Sequence, residues 1–84
     1  MPTISVFYGI IIYLNPTRKE HHPPHIHAKY GEYEATFLIK DGEIYSGMVP
    51  TRAKRMVKEF IKKYKKELQD MWDNETYTKL KGLD

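Results

Sequence analysis

Four histidines lie within seven residues of this 84-residue chain, and no other side chains are as well suited to chemistry. The run reads His21-His22-Pro23-Pro24-His25-Ile26-His27. Because each proline fixes its own φ and moves the preceding residue out of the helical region, we expect the chain to enter His25 extended. On a strand, His25 and His27 then project from the same face. Two adjacent imidazoles can bind a metal, transfer protons or form structural hydrogen bonds.

Metal binding is one interpretation of this cluster. His25 and His27 have the spacing of two imidazole ligands, and His21 or His22 could curl back as a third. Zinc, nickel or copper accept such nitrogen ligands. No fourth ligand is evident and the chain has no cysteine, so we expect no bound cofactor and keep His21, His25 and His27 as an alternative metal site.

Catalysis and structure are the other two interpretations. In a small metal-independent ribonuclease, His25 and His27 would act as the general base and the general acid, and Tyr30 would stack a base. In the structural reading, neutral imidazoles bond Tyr8, Tyr13 or backbone carbonyls and hold the Pro-Pro loop against the sheet. We favour the structural role.

Strands must position these histidines. An aromatic and β-branched run predicts a long inner strand with a bulge or bend at Gly9. Asp41-Gly42 predicts a two-residue hairpin turn that pairs Lys40 with Glu43 and Ile39 with Ile44. The predicted strands cover residues 3–14, 25–30, 33–40 and 43–47.

A long helix should follow the strands. Apolar residues recur at helical spacing as far as Trp72, and Pro50 suits the first helical position. Such a helix is about 35 Å long at about 1.5 Å per residue, more than a small sheet can cover. Either it bends near Tyr64 or its far end, with Met71 and Trp72, packs on a partner.

These elements predict an α+β fold. We expect a curved antiparallel four-stranded meander with one long C-terminal amphipathic helix packed on one face. Residues 1–73 form a single domain, and 74–84 form a poorly ordered tail. No apolar run approaches the roughly 18 residues of a membrane span and no signal peptide is evident, so we expect a cytoplasmic protein.

Charge is concentrated on the helix. Residues 52–66 hold eight basic side chains against Glu59 alone, a local charge of +7 in a chain of net charge +3. Such a run is most often a solvated face, but it also suits an anionic partner such as RNA or DNA. We expect the binding residues to be His21, His22, Tyr30, Glu32, Tyr33, Arg55, Lys58, Lys62, Lys65, Lys66, Met71 and Trp72.

Three segments read Phe-Tyr-Gly-Ile from Phe7, His-Ile-His-Ala from His25 and Tyr-Gly-Glu-Tyr-Glu-Ala from Tyr30. Together they resemble one family of small prokaryotic proteins, the domain of unknown function 4160. The family pattern has asparagine where this chain has His22 and phenylalanine where it has Ile26. Residue by residue, the match covers His21, His25, His27, Tyr30, Gly31, Glu32 and Tyr33.

The resemblance implies a stand-alone protein associated with a neighbouring small gene, in a toxin–antitoxin type of pair. We therefore expect a non-catalytic protein-interaction component of such a two-gene module, with a basic helix face that contacts nucleic acid. The neighbouring gene product is the expected partner, and self-association as a homodimer stays open. A ribonuclease and a metal-binding protein are the alternatives.

Overall fold

A computed structural model describes residues 3–14 and 23–84 of the chain. These residues form one open antiparallel sheet in which each strand pairs with the next along the chain, together with one C-terminal helix. The α+β class, the meander and the single helix are therefore confirmed. The elements are β1 (Thr3–Phe7), β2 (Ile10–Tyr13), β3 (His25–Tyr30), β4 (Tyr33–Leu38), β5 (Ile44–Met48) and α1 (Thr51–Asn74).

The sheet has five strands, so the prediction of four is wrong. The segment predicted as one long strand is a hairpin, in which Phe7 pairs with Ile10 across a two-residue turn. Tyr8 and Gly9 form that turn with φ of 48° and 79°. Positive φ at both central residues matches the right-handed twist of the flanking strands. Tyrosine is not a residue favoured in such turns, so the pattern resembled an uninterrupted strand.

The connection from β4 to β5 is longer than the predicted two-residue turn. Phe37, not Ile39, pairs with Ile44. The N–H of Ile39 donates to the carbonyl of Pro24 at 3.1 Å, and the Ile39 side chain is fully buried. Ile39 is therefore buried in the core and does not pair in the β4–β5 ladder. The predicted register of the Asp41-Gly42 turn, which paired Ile39 with Ile44, is wrong.

The core lies between one face of the sheet and α1. Phe60 of the helix stacks on Phe7 of β1, with ring centroids 5.1 Å apart. The strand side of the core includes alternate residues, as expected where one face of a strand is buried. The fully buried large side chains are Phe7, Phe37, Phe60, Ile4, Ile10, Ile12, Leu14, Ile26, Ile39, Leu68 and Val57.

The helix begins one residue later than predicted and bends where predicted. Pro50 has ψ of 153° and is the N-cap, so Thr51 is the first helical residue. Tyr64 has non-helical φ and ψ of −115° and 24°, which confirms a bend at this position. Beyond it the helix continues past Trp72 to Asn74, and Glu75 ends it with φ of 54°.

Residues 75–84 form neither helix nor strand, but they contact the rest of the domain. The N–H of Leu80 donates to the carbonyl of Ile4 at 2.8 Å, at the edge strand β1. The hydroxyl of Tyr64 donates to the carbonyl of Lys81 at 2.9 Å. The partly buried side chains of Tyr77, Leu80 and Leu83 pack against the core.

Candidate functional site

Both described histidines belong to a row of contacting aromatic rings that runs from β2 across β3 to the end of α1. The ring of Tyr13 stacks on His27 with centroids 5.0 Å apart and planes within 9°. His27 meets the edge of His25 at 5.2 Å, and His25 meets Trp72 at 4.9 Å. We call Tyr13, His27, His25 and Trp72 the histidine cluster. The β2–β3 register positions it, because Tyr13 pairs directly with His27.

His25 has the environment of a structural histidine. Its side chain is 6% exposed, and its Nδ1 lies 2.8 Å from the carbonyl oxygen of Pro23. Because a carbonyl can only accept, Nδ1 carries the proton and donates it. The bond ties the Pro-Pro segment to the start of β3, as the structural interpretation expects.

His27 is half-buried and favours the neutral form. Burial and the nearby charge of His25 lower its pKa from 6.5, while the carboxylate of Glu34 acts in the opposite direction. The hydroxyl of Thr36 lies 3.5 Å from Nδ1, at the limit of a hydrogen bond. Within the described part of the chain, the buried Nε2 has no partner. A neutral ring avoids the cost of a buried charge.

Tyr13 completes the cluster on the β2 side. Burial, together with a hydrogen bond and charge repulsion from Glu34, raises its pKa to about 12. Tyr13 therefore stays protonated over the physiological range and can donate its hydroxyl to the Glu34 carboxylate. This bond ties β2 to β4 across the intervening strand.

The residues that the structure describes do not form the geometry of a metal site. Across residues 3–14 and 23–84, no group of three histidine, aspartate or glutamate side chains converges as a metal site requires. His21 and His22 lie outside those ranges. Of the three predicted metal ligands, only His25 and His27 are thus placed, and their rings face each other edge to face.

A second feature is a line of exposed cations along α1. Arg52, Arg55 and Lys62 fall on one side of the helix before the bend, within about 80° at 100° per residue. Lys66 follows two residues after Tyr64, and we call these four residues the basic ridge. All four are exposed. The ridge extends over about 21 Å at about 1.5 Å per residue, and only Glu59 interrupts it. Among the described residues none of the four forms an ion pair.

The other predicted lysines lie beside the ridge. A groove of about 370 Å³ separates α1 from the β4–β5 connection. Lys58 lies in it and binds Glu43, with 2.7 Å between ammonium and carboxylate. Lys65 and Lys40 line the same groove. The ion pair engages the charge of Lys58 within the domain, whereas Lys65 is exposed.

The helix end does not offer the predicted partner surface. Met71 is 5% exposed and belongs to the core, and Trp72 packs on His25. The bend at Tyr64 directs the end of the helix back onto the domain, so the excess length needs no partner. For Met71 the prediction is wrong, and for Trp72 most of the expected free surface is used internally.

Exposed tyrosines gather at the end of the sheet next to the start of α1. Tyr30 and Tyr33 pair across the β3–β4 turn and are 36% and 43% exposed, and Glu32 lies exposed in that turn. Tyr8, in the β1–β2 turn, is 52% exposed. Tyr8, Tyr30 and Arg52 line one cavity of about 150 Å³. Sequence reasoning named Tyr30 and Tyr33, but missed Tyr8 and Arg52 because their proximity depends on the unrecognised hairpin.

Comparison with known proteins identifies one family. Residues 9–73 match the model of the family described as "Domain of unknown function (DUF4160)". No curated protein and no solved structure matches the chain significantly. Within the described residues, no helix is both long and apolar enough to cross a lipid bilayer.

Proposed function

This chain belongs to the DUF4160 family, whose name assigns no function, and from its geometry we propose that it is a non-catalytic binding module. In this proposal the basic ridge binds the phosphate backbone of a nucleic acid, and the open sheet face binds a partner protein. No catalytic step is assigned to His25 and His27, whose rings pack inside the histidine cluster.

The observation that carries the proposal is that, within residues 3–14 and 23–84, no ion pair engages the cations of the basic ridge. Glu43 binds Lys58, yet no described acidic side chain pairs with Arg55, Lys62 or Lys66. When aligned cations on an exposed helix face bind a polyanion, they replace its condensed counterions, and the release of those counterions favours binding. Arg52 and Arg55 also offer planar guanidinium groups that bind phosphate with two parallel hydrogen bonds.

The support for a protein partner is the second face of the sheet. The registers place Val6, Ile11, Lys29, Glu34 and Met48 in one row across all five strands. Val6 and Met48 are 58% and 62% exposed, so apolar groups flank a central pair of opposite charges. We propose that this row binds the product of a neighbouring small gene in a module of the toxin–antitoxin type.

Binding of nucleic acid is tested by fluorescence anisotropy with a labelled 12-nucleotide RNA and its duplex. The ridge variant carries Arg55→Ala, Lys62→Ala and Lys66→Ala. The control carries Lys29→Ala, Lys79→Ala and Lys81→Ala, exposed side chains off the ridge with the same total charge. We expect the ridge variant to bind both nucleic acids at least tenfold more weakly, and the control to stay within threefold. Equal losses in the two variants would show that only net charge matters.

Binding of the partner is tested by co-expression with the neighbouring gene and affinity capture. Met48→Glu places a charge at the β5 end of the exposed row, where it replaces the most exposed apolar side chain of that row, and should abolish capture. Thr78→Glu, at an exposed tail position, should leave capture intact. Capture that survives Met48→Glu, or no complex with the wild-type chain, would refute this part of the proposal.

A further inference from the structure

A cavity where the β1–β2 and β3–β4 turns meet the first turn of α1 has the composition of a nucleobase site. Its lining residues are Tyr8, Ile10, Tyr30, Arg52, Ala53 and Met56. The cavity thus combines two aromatic rings, aliphatic side chains and one guanidinium group. Aromatic rings beside arginine are the side chains on which single-stranded nucleic acids stack their bases.

The backbone of Tyr8 is strained, and the fold alone does not explain why a tyrosine occupies this position. Tyr8 occupies the left-handed region with φ of 48°, where asparagine, aspartate or glycine is favoured and a bulky side chain is strained. Its ring is 52% exposed, so little burial offsets the strain. Strained residues of this kind concentrate at functional sites. A function for the exposed ring would account for tyrosine at this position.

Tyr30 forms a second aromatic wall of the cavity, and its ring lies next to Gly9. A Cβ built on Gly9 would lie 3.5 Å from Cε1 of the Tyr30 ring, so the ring lies close above the glycine backbone. Ile10 pairs with Tyr30 across β2 and β3, which fixes the position of that ring relative to the Tyr8 turn. The Tyr30 wall is thereby held by the sheet, and the Tyr8 wall by the two-residue turn that joins β1 to β2.

The volume of the cavity limits what it can hold. At about 150 Å³, it has the room of roughly five water molecules of about 30 Å³ each. Sites that bury a whole drug-sized ligand measure about 300–1,000 Å³. The volume therefore suits a single small ring and excludes a whole drug-sized ligand.

The basic ridge begins at this cavity. Arg52 both lines the cavity and begins the ridge, and no acidic residue occupies the first turn of α1. We infer that Tyr8 and Tyr30 stack one base of a single-stranded nucleic acid whose phosphates lie along the ridge. The inference rests on the proposed nucleic-acid binding and adds a preference for single strands, because the bases of a duplex are stacked within it.

The test is the affinity of Tyr8→Asn for a labelled 12-nucleotide RNA, the same sequence in DNA, and the blunt RNA duplex. Asparagine accepts positive φ, so we expect a melting temperature at least equal to that of the wild type. Single-strand affinity should fall about tenfold, the loss expected from one base–aromatic stack. Duplex affinity should change less than twofold, and Tyr8→Phe, which retains the ring, should bind as the wild type does.

Other outcomes separate this inference from the proposed function. If Tyr8→Asn binds single strands as tightly as the wild type while the ridge variant loses them, the base site is wrong and the ridge stands. If Tyr8→Asn loses duplex and single strand equally, the site has no preference for unpaired bases and the inference is also wrong. Should Tyr8→Asn fold poorly, Tyr30→Leu removes the second ring and must show the same single-strand loss.

Discussion

The imidazole of His25 packs against the indole of Trp72 with ring centroids 4.9 Å apart, and so joins the start of β3 to the last turn of α1. Trp72 is the only tryptophan in the chain. Its fluorescence therefore reports the state of this contact directly.

His25→Ala should lower the free energy of unfolding by about 1–3 kcal/mol, because it leaves a gap beside Trp72 and removes the hydrogen bond to Pro23. Urea denaturation followed by Trp72 fluorescence measures the loss. His25→Phe keeps a ring in the gap and should recover part of it. A structural role would be refuted by a folded His25→Ala of unchanged stability. The structural role would also be refuted if the wild type cleaved RNA with a bell-shaped pH profile and His25→Ala did not.

The lowered pKa of His27 predicts how stability depends on pH. The folded pKa lies below the unfolded value of 6.5, so the unfolded chain binds the proton more readily. Stability from this group is complete above about pH 7 and is lost as pH falls through the folded pKa. His25, Glu34 and the ring of Tyr13 surround the group that titrates.

The measurement is urea denaturation at intervals from pH 5 to pH 8. The wild type should lose stability towards pH 5, and His27→Gln should show a shallower decline because it removes the titrating ring. A wild type that becomes more stable as pH falls would contradict the neutral, buried assignment.

Gly47 and Gly31 form a matched pair for backbone strain. Both have positive φ, 79° and 59°, but a Cβ on Gly47 would clash with the Glu34 carbonyl oxygen, whereas one on Gly31 meets nothing within 4 Å. Gly31→Ala should cost about 1–2 kcal/mol from φ alone. Gly47→Ala should cost clearly more, since β5 must also move away from β4. Equal losses in chemical denaturation would mean that the strands are not so close.

Phe60→Ala should cost about 3–5 kcal/mol in free energy of unfolding, because the fully buried ring stacks on Phe7 at the centre of the core. Chemical denaturation measures this, with Lys62→Ala as a surface control expected within about 0.5 kcal/mol. If the variant is already unfolded, Phe60→Leu gives a measurable fraction of the loss. A loss below about 1 kcal/mol would show that α1 does not pack as described.

Periodicity predicted the helix and most strands, since these follow from local apolar patterns. The length of the helix gave the bend near Tyr64 as one of two alternatives. Sequence periodicity gave the wrong strand boundaries and turn register where tertiary packing determines them. Tyr8-Gly9 lacks the usual turn residues, so the first hairpin looked like one strand. Burial of Ile39 shifts the next turn away from the register that Asp41-Gly42 indicates.

The candidate sites also include parts that local sequence patterns predict and parts that depend on tertiary packing. Alternation on β3 placed His25 and His27 together, and helical spacing gathered the lysines. Trp72 reaches His25 only because the helix bends at Tyr64 in a particular direction. Residue spacing along the sequence does not predict that direction. The cavity between Tyr8, Tyr30 and Arg52 joins three elements, so only the assembled fold reveals it.

The central claim, that the basic ridge binds phosphates, is tested most directly by the salt dependence of affinity for a single-stranded 12-nucleotide RNA. Each phosphate contact contributes about −0.7 to the slope of log affinity against log salt concentration for a single strand. Losing Arg55, Lys62 and Lys66 together should therefore make the slope about 2 less negative. The control that replaces Lys29, Lys79 and Lys81 should keep the wild-type slope. Identical slopes for the wild type and the ridge variant would contradict the account.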